Sequence, residues 1–313
     1  MPSPDLAALA NALLTAAKRA GAAEADALAV SGRSQSIDIR AGRLEQAERS
    51  EGVEIGLRVL IGGRQACVSA SDISTSTIDR LAERAVAMAR EAPEDPTVGL
   101  ADPAQLAQGW DLAFYEMTDA TPEPNAAALE ADARAAEAGA MAAYGITQVE
   151  ASAGYTSREM HMAASNGFSG GYGRTGRSIS AVAFTGEGTA MERDWSGESR
   201  VFQADLPDAT GIGTEAALRA LSRAGATKPV TGSYPVLFDE RIASSLIGHL
   251  LAAVNGAAIA RGASWLRDAL GQHVLPVHLS VIEDPTAPAF QARARLTAKG
   301  CRPGGGRLSK TEC

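Results

Sequence analysis

Cysteine is almost missing from this chain. Cys67, Cys301 and Cys313 are the only three in 313 residues, and no CxxC pair occurs. Three scattered thiols cannot make a disulfide framework, and their scarcity fits a reducing cytoplasm. Aromatic residues are also few, at 4%, whereas hydrophobic residues as a class reach 45% and charged residues 21%. The balance is that of a globular protein whose core is built from small aliphatic side chains on close-packed helices and sheets. Basic clusters are lacking too. The net charge is −8, and no Lys/Arg stripe with interleaved aromatics appears, which argues against nucleic acid as the main partner.

Long apolar runs are equally scarce. Ile242 to Ala260 carries no formal charge over the length of a membrane span, but Ser244, Ser245, His249 and Asn255 interrupt it. A buried helix or helix pair is the expectation, and no membrane association. The first twenty residues place Asp5 early and Lys18 and Arg19 late, the reverse of a signal peptide. Leu6, Leu13 and Leu14 instead predict an amphipathic first helix. Histidine numbers four, and no HExxH pattern exists. His249, on the uncharged stretch, reads as a packed core residue rather than a ligand.

What is present is an α+β pattern. Ile37 and Ile39 alternate with polar neighbours, and Ala41-Gly42 can turn into the next strand. Val53, Ile55, Leu57 and Val59 alternate in the same way, followed by Gly62-Gly63 and a short strand over 65–70. Ser76 with Asp79 predicts a capping box opening a helix through Met88. Residues 93–124 are rich in Pro, Asp and Gly and read as a connection, and 125–144 is strongly helical. Strand patterns follow at Val149 to Tyr155, at Met160 and Met162, and at Ile179 to Phe184. A helix over 214–223 and an apolar strand at Pro235 to Phe238 come next. The expected organisation is an N-terminal helix and mixed-sheet region over 1–100, then a connection, helix and antiparallel strands over 101–227. A β-rich C-terminal domain begins over 228–288 and is incomplete, and 289–313 is a separate tail.

One glycine-rich patch matches two well-known patterns. Gly171 to Gly176 fits GxGxxG, and Gly167 to Gly171 fits GxSxG around Ser169. Nucleotide binding and a nucleophile elbow both require a helix directly after the motif. Here a strand pattern follows, so a glycine-rich hairpin is the better reading.

Two segments carry a resemblance: Met191-Glu192-Arg193-Asp194, and the run from Lys228 to Pro285 that contains "FDERIASSLIGHLLAAVNGAAIARG". Together they resemble the TldD/PmbA metallopeptidase family, and the likeness extends to about Pro288. The resemblance implies a cytoplasmic heterodimer of TldD-like and PmbA-like (TldE) subunits acting on unfolded proteins or peptides. The TldD-like subunit holds zinc through an HExxxH helix, whose glutamate polarises a metal-bound water. In this sequence Asp239 and Ser244 stand where the two histidines would be, and Glu240 keeps the glutamate position. The implied reading is a PmbA-like subunit with a pseudo-active site, no catalytic residue and no metal of its own, and zinc in its partner. Met191, Glu192, Arg193, Asp194 and His249 are then family-motif positions expected to line a substrate channel. A peptide-binding or assembly module, as a homodimer, is the alternative, and a defunct truncated fragment is another.

The tail breaks with what precedes it. Residues 289–313 hold six basic residues against the single acid Glu312, a net of +5 that leaves −13 for the preceding 288. Such a switch is what out-of-frame translation of a GC-rich gene near residue 287 would produce. A basic arm for an acidic partner is the competing expectation.

Overall fold

The computed structural model describes residues 4–107 and 112–283, together with the backbone of the two-residue strand Gly306–Arg307. Two compact units divide between Ala226 and Thr227.

The first unit is built from two copies of one order, helix, three strands, helix. The first copy runs α1 (Leu6–Ala20), β1 (Glu24–Arg40), β2 (Arg43–Ile61), β3 (Arg64–Ala70) and α2 (Thr75–Glu91). The second runs α3 (Ala126–Met141), β4 (Ile146–Ala164), β5 (Ser169–Thr185), β6 (Glu192–Arg200) and α4 (Ala209–Ser222). Their strands join in one sheet, antiparallel throughout, in the order β3-β2-β1-β4-β5-β6. The sheet therefore crosses the expected boundary at residue 100.

Local chemistry explains the elements. Asp5 caps α1 by accepting from the Ala8 N–H at 3.0 Å, and Gly21 ends it at φ 98°. The β1–β2 and β2–β3 turns are Ala41-Gly42 and Gly62-Gly63, each with two positive φ angles. That backbone twists with the flanking strands and closes tight hairpins. The cap of α2 is Ser74, not the expected Ser76, and Asp79 instead pairs with Arg19 of α1.

Both helix pairs cover the same sheet face. Ala25, Ala27 and Ala29 with Ile55, Leu57 and Val59 meet α1 and α2 at one end. Ile37, Ile39, Val149, Ala151, Ala153, Ile179 and Ala181 meet α3 and α4 at the other. Burying a Leu, Ile or Val here is worth about 1.5–3 kcal/mol each. Alanine supplies most of the remaining contacts and lets helices approach closely. Between the helix pairs, Arg33, Gln35 and Arg49 on this face are held by Glu123 of the connection. The opposite face carries no helix among the described residues of this unit.

The connection is tied down by Asp119. Its carboxylate accepts from the backbone N–H groups of Thr121 and Gln203, each at 2.8 Å, while its own N–H donates to the Thr175 hydroxyl at 2.8 Å. Burial works to raise the Asp119 pKa, but the hydrogen bonds from Gln203 and Thr121 outweigh it and hold the group below its ordinary 3.8. A lowered folded pKa means the unfolded chain binds more protons, so this stabilisation is full above the ordinary value. It is lost as the pH falls through the folded one. Asp119→Asn is expected to cost about 1–3 kcal/mol in urea melts at pH 7. The gap to wild type narrows at pH 3; an equal gap at both pH values would contradict this.

Three expectations change. The glycine-rich patch is not a hairpin turn: residues 170–176 lie inside β5, and the turn is Ser165 to Phe168, with Gly167 at φ 96°. Val149 to Tyr155 and Met160 to Met162 are one strand, not two. Pro235 to Phe238 joins no sheet among the described residues, and Leu237 is fully exposed.

The second unit holds α5 (Glu240–Ala253) and α6 (Gly256–Ala260), separated by the Asn255 cap, and the two-residue strand pair β7 (Ile282–Glu283) with β8 (Gly306–Arg307). The uncharged stretch is thus a helix pair, but not a buried one: Leu250 and Ala253 are buried, whereas Leu246, Ile247 and Leu251 are exposed. The expected β-rich character of this domain reaches past its described residues. Apart from the β8 backbone, so does the 289–313 tail. No helix among the described residues is long and apolar enough to cross a membrane.

Candidate functional site

Sequence reasoning singled out the start of α5. Asp239 is its N-cap, accepting from the Arg241 N–H at 3.0 Å and pairing with the Arg241 side chain at 2.9 Å. Glu240 opens the first turn, where a carboxylate meets the positive helix end. Ser244 is exposed, and so is His249, which is not the packed core residue expected from its apolar neighbours. A catalytic zinc takes three protein ligands, with imidazole, thiolate or carboxylate donors. The α5 start does not fit that need. One carboxylate is committed to the cap and to Arg241, and Ser244 carries only a hydroxyl. Among the described residues, no cluster of three His, Cys, Asp or Glu side chains could hold a metal ion.

Met191 to Asp194 lie at the opening of edge strand β6. Glu192 and Asp194 both face Arg223 at the end of α4, each at 3.6 Å, and Arg219 donates to the Trp195 carbonyl. These two acids fasten β6 to α4. Met191 and Trp195 remain about half exposed. Ser169, the serine of the GxSxG match, meets His161 across the β4–β5 pair at 3.0 Å. The pair sits on a strand ladder rather than at a strand-to-helix turn, so it lacks the geometry of a nucleophile elbow.

The site that the sequence did not disclose is a groove of about 730 Å³ on the helix-free face, where the two copies of the fold meet. Three rows of side chains cross it in register over β2, β1, β4 and β5. The first is Glu54, Val30, Met160, Tyr172; the second Gly52, Gly32, Arg158, Arg174; the third Ser50, Ser34, Thr156, Gly176. Ser199 to Val201, from the end of β6, close one side. Met191 to Asp194 do not line it. The glycines have a steric role: a Cβ on Gly176 would stand 2.9 Å from the Thr156 hydroxyl oxygen, and the Gly32–Gly52 pair leaves the floor as bare backbone.

Comparison with known proteins places this architecture. Three models of one family match in order: PmbA/TldA metallopeptidase domain 1 over 25–89, the central domain over 119–224 and the C-terminal domain over 231–303. The last runs into the basic tail. "Metalloprotease PmbA" of Escherichia coli O157:H7 is 30% identical over 269 residues, covering 85% of this chain and 59% of that protein. The PmbA homolog of Haemophilus influenzae is 29% identical over 305 residues, covering 94% and 65%. The chain thus spans less than two thirds of the length of these curated relatives. Among solved structures, a Bacteroides thetaiotaomicron protein described as a candidate modulator of DNA gyrase superposes with a TM-score of 0.90 at 23% identity, covering 98% of this chain and 70% of that one. TldE from Thermococcus kodakarensis gives 0.74 at 14%, covering 96% and 67%. These last two likenesses speak for the fold. With three family domains matched in sequence order over most of its length, this chain belongs to the PmbA/TldD metallopeptidase family.

Proposed function

We propose that this chain is the PmbA/TldE-like subunit of a cytoplasmic, heterodimeric zinc metallopeptidase acting on unfolded proteins or peptides. It supplies scaffold and substrate-binding surface, and a TldD-like partner supplies the zinc. The supporting observation is the start of α5: Asp239 is spent as helix cap and Arg241 partner, and Ser244 offers no ligand where the family's zinc helix has histidine. Glu240 without two histidines has no metal-bound water to polarise.

The test is co-expression with a TldD-like chain carrying an intact HExxxH. A stoichiometric complex that contains zinc and cleaves a casein-derived peptide is expected, with no cleavage by this chain alone. Glu240→Gln in this chain is expected to leave cleavage by the complex unchanged. Zinc-dependent cleavage by the isolated chain, abolished by Glu240→Gln, would overturn the assignment.

A further inference from the structure

Like charges directly opposite each other on neighbouring strands destabilise a sheet. Arg158 of β4 and Arg174 of β5 form such a pair. Neither side chain makes an ion pair or hydrogen bond to another described residue. Two more arginines border the groove, but Arg33 has its side chain on the helix-covered face with Glu123, and Arg200 pairs with Glu198. The acid lining the groove, Glu54, lies two strands from Arg158, about 10 Å away at ordinary strand spacing. Two guanidinium groups with unused donors thus face one space without a counter-charge among the described residues.

The surroundings define what fills that space. Beyond Arg158 in the same row lie Gly32 and Gly52, so a ligand can rest on backbone there. Met160 and Tyr172 form an apolar wall on one side of the arginine row. From β2 to β6 the groove crosses four strand spacings, about 19 Å, the length of about six residues of extended chain. A nucleic acid calls for a repeated cationic track and a basic protein; this groove has one cationic spot beside an apolar wall, on a chain of net charge −8. A carboxylate, by contrast, matches the planar donor fork of arginine.

We propose that the groove binds an extended polypeptide segment and that Arg158 and Arg174 together hold one of its acidic side chains. The proposal draws on the peptide-handling role for the class of ligand; the place of binding follows from the groove alone. The guanidinium repulsion is the stability cost of keeping the site ready.

The test uses the full chain without a partner. Fluorescence anisotropy would compare a labelled peptide bearing paired glutamates between Val and Phe with its glutamine isostere. At low salt the glutamate peptide is expected to bind at least tenfold more tightly, with the advantage shrinking as salt rises. Arg158→Gln/Arg174→Gln is expected to erase the preference while melting no lower than wild type, because the repulsion is relieved. The lysine pair, Arg158→Lys/Arg174→Lys, is expected to retain part of it. Equal binding of the two peptides by wild type, or a preference that survives the glutamine pair, would sink the proposal. Displacement by inorganic phosphate as effective as by unlabelled peptide would also overturn it, by showing an anion site without polypeptide selectivity. Binding is read without cleavage, so failure here leaves the subunit assignment standing, and loss of that assignment leaves the groove measurement intact.

Discussion

Gly213→Ala is expected to destabilise the first unit by about 3 kcal/mol, at the upper end of overpacking costs, and Gly213→Val to prevent its folding. A Cβ on Gly213 would stand 1.8 Å from the Ala136 carbonyl oxygen and 2.9 Å from the Ala140 nitrogen. The contact is reciprocal, since a Cβ on Gly139 would meet the Thr210 oxygen at 2.3 Å. Helices α3 and α4 therefore touch backbone to backbone, and a methyl group must part them. The opposing effect is helix propensity, where Ala gains about 1 kcal/mol over Gly. The steric cost wins because the obstacle is backbone, which cannot swing aside, and because parting the helices loosens the core over β4 and β5. Gly211 is the control: in the same helix, its Cβ would meet nothing closer than 3.9 Å. Gly211→Ala is therefore expected to be neutral or slightly stabilising. Urea melts of the two variants check this, and Gly213→Ala as stable as wild type would refute the close packing.

The same glycine shows how much of the molecule was legible. Alternation in β2 was readable because Val53 to Val59 have one buried and one open face, which is what a period of two records. The helix expected over 214–223 starts earlier, at Ala209, and nothing local announces that Gly213 is a contact point, because its neighbour Ala136 lies in another helix. Strand β4 reads as two pieces in the sequence because residues 156–159 cross the open groove, where neither face imposes an apolar pattern. Residues 170–176 read as part of a hairpin turn because glycine is the residue of turns. None of those glycines has positive φ, and Gly171 instead admits the neighbouring strand, its Cβ position lying 2.2 Å from the Met160 oxygen. The family motifs near α5 and β6 stood out as contiguous words. The groove did not, because its rows join residues more than a hundred positions apart, and only register brings Gly32, Arg158 and Arg174 together.

A buried arginine carries the other large expected effect, and its asymmetry makes the outcome diagnostic. Arg177 lies under α3 with its side chain 4% exposed and paired with Asp132, whose side chain is 40% exposed. It also donates to the Gly154 and Ser178 carbonyls at 3.0 and 3.2 Å. Burial pulls its pKa below the ordinary arginine value, and Asp132 works against that shift. Removing the acid leaves a buried cation without its counter-charge, whereas removing the cation leaves a carboxylate that water can reach. Asp132→Ala is therefore expected to cost about 3 kcal/mol, the penalty for stranding one member of a buried pair. Arg177→Met, which keeps most of the buried volume, is expected to cost about 1–2 kcal/mol, set by the two carbonyls that lose a donor. The double variant should then be no worse than Arg177→Met alone, so the methionine rescues the alanine. Urea, which does not screen charge, is the denaturant for this cycle. If Asp132→Ala proved milder than Arg177→Met, the exposed acid would not be what makes the buried guanidinium tolerable. The two carbonyls would then be its chief partners.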